Sequence, residues 1–248
     1  MTPRTPIFAA NWKMNQTLKE VSSFVPKFTE ALGRQTTSLE IVIAPAFVHL
    51  PAFVNAADGT SIQVGAQNCA PAKSGAFTGE VSAPMLVEIG CQWAIVGHSE
   101  RRQLFAEDDA LVGNRLRAAL ADGLQVIFCV GETLEERRGG LAEQVVARQL
   151  SVLKDVAHPE RVAIAYEPVW AIGTGEVATP AQARDMHAFA RAKLPSKDMR
   201  ILYGGSVKPD NAGALLAEPE IDGFLVGGAS LDPVGFASVI RNGLASRR

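Results

Sequence analysis

The sequence predicts an α/β fold, a closed (β/α)8 barrel forming a single domain over residues 1–248, and three observations carry that prediction. Eight short apolar runs recur along the 248 residues. Most are apolar throughout rather than at every second position, as parallel strands covered on both faces are. Their starts fall about 22–39 residues apart, the span of a strand plus a returning helix. An open doubly wound sheet fits the same alternation; the count of eight favours the closed ring.

The elements follow in order. The first run is Ile7–Ala10, and Thr17 with Glu20 beyond it has the spacing of a capping box that starts a helix. Ile41–Ala44 and Gln63–Ala66 come next. The stretch Gln67–Ser82 then breaks the rhythm: it holds Pro71, Gly75 and Gly79, has little periodicity, and is too long for a simple connection, so it is expected to dock or to act. The fourth run is Trp93–Val96 and the fifth Gln125–Val130, followed by a second capping box, Thr133 with Glu136. Val162–Tyr166 precedes Thr179-Pro180, an N-cap with proline at the first helical position. The helix beyond it carries Met186, Phe189, Ala190 and Leu194 on one face. Ile201–Tyr203 and Gly223–Val226 complete the set, and Asp232-Pro233 opens a last helix with Phe236, Val239 and Ile240. No Asn-Gly or Asp-Gly pair joins two runs as a hairpin.

Composition narrows the function. Lysine and arginine number 24 against 26 acidic residues, for a net charge of −2. No global positive field exists to gather nucleic acid or anionic lipid, and no apolar stretch approaches the ~20 residues of a membrane span. Neither nucleic-acid nor membrane partners are expected. Met1–Pro6 shows no signal-peptide architecture, and Cys69, Cys91 and Cys129 are far apart and odd in number, which points to a reducing, cytoplasmic setting. His49, His98, His158 and His187 show no metal-ligand spacing, so no metal is expected. His158 and His187 sit in polar stretches and read as surface residues. Gly173–Ala178 matches a dinucleotide fingerprint, but its glycines do not follow the strand directly, and the match is discounted.

In a barrel of this kind chemistry gathers where strands end. Those positions hold Asn11-Trp12-Lys13, Gly97-His98-Ser99-Glu100, Glu167-Pro168, Gly204-Gly205-Ser206 and Gly227-Gly228. Each has an ordinary alternative: a paired strand-end charge, a buried histidine, a solvated lysine, a tight turn. Together they offer a carboxylate base, donors for a developing oxyanion, and bare backbone N–H groups suited to phosphate. Proton transfer next to a carbonyl needs no cofactor, and none is expected.

The segments Asn11-Trp12-Lys13-Met14-Asn15, Gly97-His98-Ser99-Glu100-Arg101-Arg102, Ala165–Gly175, Tyr203–Val207 and Val226–Leu231 resemble the triosephosphate isomerase family. The resemblance implies a TIM barrel that interconverts dihydroxyacetone phosphate and D-glyceraldehyde 3-phosphate through an enediolate, in glycolysis and gluconeogenesis. It implies Glu167 as the base and His98 as the neutral electrophile, a tuning for which this family is a standing example. Lys13 is implied as the positive charge for phosphate and oxyanion, with Glu100 holding it and Asn11 orienting the substrate. The amides of Gly173, Ser206, Gly227 and Gly228 are implied to bind phosphate. Residues 168–178 become a lid, and Ile172 and Leu231 press on Glu167. The family is typically a homodimer, which makes 67–82 a docking loop with Thr78 near the partner's active site. Glu176 stands where many members carry lysine. Two rivals remain at this point: a lyase using Lys13 as a Schiff-base nucleophile, and a barrel without catalysis.

Overall fold

The structure is a computed structural model that describes residues 4–35, 38–171 and 178–247. Its strands are β1 (Ile7–Asn11), β2 (Glu40–Ala44), β3 (Ile62–Ala66), β4 (Trp93–Val96), β5 (Gln125–Val130), β6 (Val162–Tyr166), β7 (Ile201–Tyr203) and β8 (Gly223–Val226). All eight pair in parallel and close into a barrel in sequence order, β8 returning to β1 with Ile7 opposite Gly223. The eight predicted runs are these strands, to within one residue at each end.

Side chains alternate across the barrel wall, as strand geometry requires. Ile7, Ala9, Val42, Ala44, Trp93, Ile95, Ile127, Cys129, Ala163, Ala165, Leu202 and Leu225 fill the interior. Their neighbours Phe8, Ala10, Ile43, Val96, Phe128, Ile164 and Phe224 face outward beneath the helices. Both faces are buried, which is why the runs are apolar throughout.

The helices begin where the caps predict. Thr17 and Glu20 close a capping box on Leu18–Leu32, and Thr133 and Glu136 close one on Leu134–Arg138. Thr179 caps Pro180–Lys193 with Gln182 as its reciprocal partner, and Asp232 caps Pro233–Ala245, accepting from the Gly235 N–H at 2.6 Å. Met186, Ala190, Phe236, Val239 and Ile240 are buried as expected.

The seam between β7 and β8 is the short one, in register only at Tyr203 and Phe224. The Asp222 side chain extends it, accepting from the Ile201 N–H at 2.9 Å. Asp222 is 1 % exposed and is held by Arg191 Nη2 at 2.6 Å and Arg4 Nε at 2.7 Å. A buried pair of this kind costs about 3–5 kcal/mol when one partner is removed, because the other charge is stranded.

One expectation fails here. His187 is not a surface residue: it is fully buried on the inner face of Pro180–Lys193, its ring edge-on to Tyr166 at 5.7 Å, and its Nδ1 lies 3.1 Å from the Glu220 carbonyl. Arg184 and Asp185 make the stretch before it polar, but Ala183 and Ala190 lie on its own helical face, and the face decides burial. Burial pushes its pKa down to about 4, from 6.5 in the unfolded chain. The unfolded state therefore takes up this proton first as pH falls. The stability is complete above pH 6.5 and is lost as pH drops toward 4, by about 3 kcal/mol. Urea unfolding across this pH range is expected to show that loss, and His187→Gln is expected to lack the step whatever its stability at neutral pH.

Candidate active site

The carboxyl ends of the strands meet around a cavity of about 300 Å³ lined by Asn11, Lys13, His98, Glu167, Ser206 and the glycines after β7 and β8. Glu167 leaves β6 directly, its N–H bonded to the Val130 carbonyl at 2.7 Å. It is 2 % exposed. Gly131 and Gly204 make room for it. A Cβ on Gly131 would lie 1.7 Å from the Glu167 carbonyl oxygen, and one on Gly204 would lie 2.9 Å from the Glu167 Cγ.

Both oxygens of the Glu167 carboxylate accept hydrogen bonds: Oε1 lies 2.9 Å from His98 Nε2, and Oε2 accepts from the Ser99 N–H at 2.9 Å. Burial acts to raise its pKa, but His98, the Ser99 amide and the Lys13 charge outweigh it and hold the carboxyl below its usual range. The group is ionised at neutral pH, as a base must be.

His98 is the N-cap of the helix Ser99–Leu104, and its Nδ1 accepts from the Glu100 N–H at 3.2 Å. Burial disfavours an imidazolium, while the Glu167 carboxylate favours one and draws the pKa upward. The Glu100 amide decides the tautomer. A proton on Nδ1 would confront that donor, and the positive end of the helix would oppose the charge. The geometry places a proton on Nε2, facing Glu167.

Lys13 holds a left-handed backbone, φ 53°. That conformation costs a non-glycine residue about 1 kcal/mol or more and persists only where the surroundings impose it. Here the Asn11 Oδ1 accepts from the Lys13 N–H at 3.0 Å, and Gln67 Nε2 donates to the carbonyls of Lys13 at 2.8 Å and Ala44 at 2.9 Å. The ammonium is thereby aimed at Glu100 Oε1, 2.5 Å away. Opposite, the turn after β8 is fixed by Ser230 Oγ, which donates to Gly227 O at 2.6 Å, and by Trp12 Nε1, which donates to Ser230 O at 3.2 Å.

The structure thus brings Asn11, Lys13, His98, Glu167, Ser206, Gly227 and Gly228 to one cavity, with Glu100 behind Lys13. Leu231 packs half-buried against the outer core. Thr78 is exposed. Ile172, Gly173 and Glu176, and with them the tip of the expected lid, lie outside the described residues. Sequence reasoning missed Gly131 and Glu132. Glu132 is fully buried and accepts from Tyr166 Oη at 3.0 Å, Trp170 Nε1 at 2.9 Å and Arg137 Nη1 at 3.0 Å, so it anchors the first residues of the 168–178 segment. Only its place at the end of β5 could have signalled it. Among the described residues no His, Cys, Asp and Glu cluster is placed to hold a metal ion.

A closed parallel barrel with a carboxylate, an imidazole and an ammonium on its carboxyl rim belongs to the class of (β/α)8 enzymes. The family model described as triosephosphate isomerase matches residues 6–243. Similar curated proteins bearing that name come from Solibacter usitatus, 52 % identical over 96 % of this chain and 99 % of the relative, and from Chloroflexus aurantiacus, 48 % identical over 96 % and 98 %. A third, from Aquifex aeolicus, is 46 % identical over 94 % and 98 %. The chain belongs to the triosephosphate isomerase family, and it is an isomerase.

The glycine after β7 gives the site's first test. Gly204→Ala must push the Glu167 side chain aside, and displacement of about 1 Å costs up to a hundredfold in rate. We expect kcat to fall about ten- to a hundredfold while thermal unfolding shows a folded protein; unchanged kcat would mean that Glu167 has room to spare.

Proposed function

We infer that the chain interconverts dihydroxyacetone phosphate and D-glyceraldehyde 3-phosphate, with Glu167 moving the proton between the two substrate carbons. The observation that carries this reading is the buried Glu167–His98 contact of 2.9 Å in the wall of the rim cavity. A substrate carbonyl that takes the Nε2 proton of His98 as its donor frees the carboxylate to reach the adjacent carbon. His98 and Lys13 then stabilise the enediolate oxygens, and Asn11 orients them. The amides of Ser206, Gly227 and Gly228 take the phosphate, joined by Gly173 from the lid at 168–178, whose closure with Ile172 and Leu231 desolvates the base. The Glu100 carboxylate engages the Lys13 Nζ at 2.5 Å, which disfavours the Schiff-base lyase.

A homodimer fits the same reading. Phe77 is 51 % exposed within the 67–82 loop beside Thr78, a large apolar side chain held out toward solvent. Glycolysis and gluconeogenesis run in the cytoplasm, and the three cysteines are free and buried, which supports a reducing compartment. No described helix is long and apolar enough to cross a membrane.

In a coupled assay with glyceraldehyde 3-phosphate, Glu167→Gln is expected to lower kcat by about 10²–10⁴-fold without unfolding the chain; near-normal turnover would remove Glu167 from its role. Thr78→Arg is expected to give monomers in sedimentation, with activity lower by on the order of tenfold or more. A dimer that survives that change would refute docking through Thr78.

A further inference from the structure

The charged residues lining the active-site cavity are Lys13, Glu167 and Lys208. Lys13 is paired with Glu100 at 2.5 Å, and the Glu167 carboxyl is held below its usual range. Without a further cation the rim would present net negative charge to a phosphate ester that bears roughly −1.5 to −2 at pH 7. The chain itself has a net charge of −2 and supplies no favourable background field.

Lys208 is exposed, forms no ion pair among the described residues, and stands two residues beyond Ser206. Its main chain is fixed: the Lys208 N–H donates to Asn211 Oδ1 at 2.8 Å at the start of the helix Pro209–Leu216, and Asn211 Nδ2 donates to Ser206 O at 3.0 Å. The main-chain cap and the asparagine tie the lysine's Cα to the phosphate-binding turn. Its ammonium is not used by these bonds.

We propose that Lys208 is the recruiting cation of this active site: it draws the substrate's phosphate to the glycine turns and sets kcat/KM through encounter and binding rather than through chemistry. The proposal rests on the triose-phosphate reading above. Lys208 restores neutrality to a rim that would otherwise repel its substrate, and an exposed ammonium acts over about a Debye length, roughly 10 Å at 0.1 M salt.

The experiment is steady-state kinetics of Lys208→Gln and Lys208→Glu across ionic strength, with Lys154→Gln as the control that changes net charge equally at an exposed lysine outside the cavity. At low salt kcat/KM is expected to fall about two- to fivefold in Lys208→Gln, the scale of one unit charge against a dianion some 8 Å away in water. The fall is larger in Lys208→Glu, kcat stays within about twofold, and the variants converge on wild type at high salt. Unchanged kcat/KM, a loss carried by kcat, or an equal loss in Lys154→Gln overturns the proposal. Absent isomerase turnover in the wild type defeats the reading of the site instead. Calorimetric titration with glycerol 3-phosphate then tests Lys208 alone: a Kd weakened about two- to fivefold in Lys208→Gln supports it, and an unchanged Kd overturns it.

Discussion

Eight parallel strands hydrogen-bonded in a ring leave no free edge and no exposed face, and the rest of the molecule answers to that closure. Every strand runs the same way, so all eight carboxyl ends share one rim. The interior cannot hold chemistry because it is full. Gly65 on β3 leaves room for its neighbours: a Cβ there would sit 3.2 Å from Val42 Cγ1 and 3.3 Å from the Trp93 Cβ. At native packing density such contacts leave nowhere to move. Polar groups that serve a reaction are pushed to the rim, where loops can carry them without stranding buried amides.

At the rim the same closure creates an electrostatic problem. Glu167 continues directly from a buried strand, and a carboxylate there loses most of its hydration. Two donors replace the water: the first amide of a helix and an imidazole that caps that helix. One helix start thus does two jobs. Its Ser99 N–H stabilises the Glu167 anion, and its Glu100 N–H keeps the His98 proton on Nε2, where a substrate oxygen can use it. The two groups satisfy each other at 2.9 Å, and in the function proposed above a substrate carbonyl takes the place of the carboxylate on Nε2. Lys13 stands apart from this exchange because its own partner, Glu100, belongs to the same helix.

The barrel was legible because both faces of each strand are apolar and four helices announce their starts, at Thr17, Thr133, Thr179 and Asp232. The lining of the rim cavity was legible because strand ends are the positions where Asn11, His98 and Glu167 follow apolar runs. What stayed hidden depends on contacts between elements distant in sequence. His187 reads as a surface residue from the nearby Arg184 and Asp185; its ring packs against Tyr166 and Tyr203, from two strands. Gly131 is one glycine after a strand until β6 brings the Glu167 carbonyl against it. Glu132 reads as an ordinary charge before the Thr133 cap, and only the arrival of Tyr166, Trp170 and Arg137 makes it an anchor.

The 67–82 loop shows how a segment without regular structure can still be preorganised. Arg115, buried on the helix Asp109–Ala121, donates to the Cys69 carbonyl at 2.6 Å at one end of the loop and forks onto Glu80 at 2.8 and 3.2 Å at the other. Its hydrogen bonds hold the Glu80 carboxyl below its usual range. Ala70 N–H to Val81 O at 2.7 Å closes the same neck. The loop's ends are therefore fixed within one chain, and the entropy of closing the neck is lost during folding rather than on association. A segment so prepared holds Phe77 exposed at little further cost. That arrangement suits the dimer contact proposed above, and the cation proposed to recruit substrate acts on a cavity whose described walls are already in place.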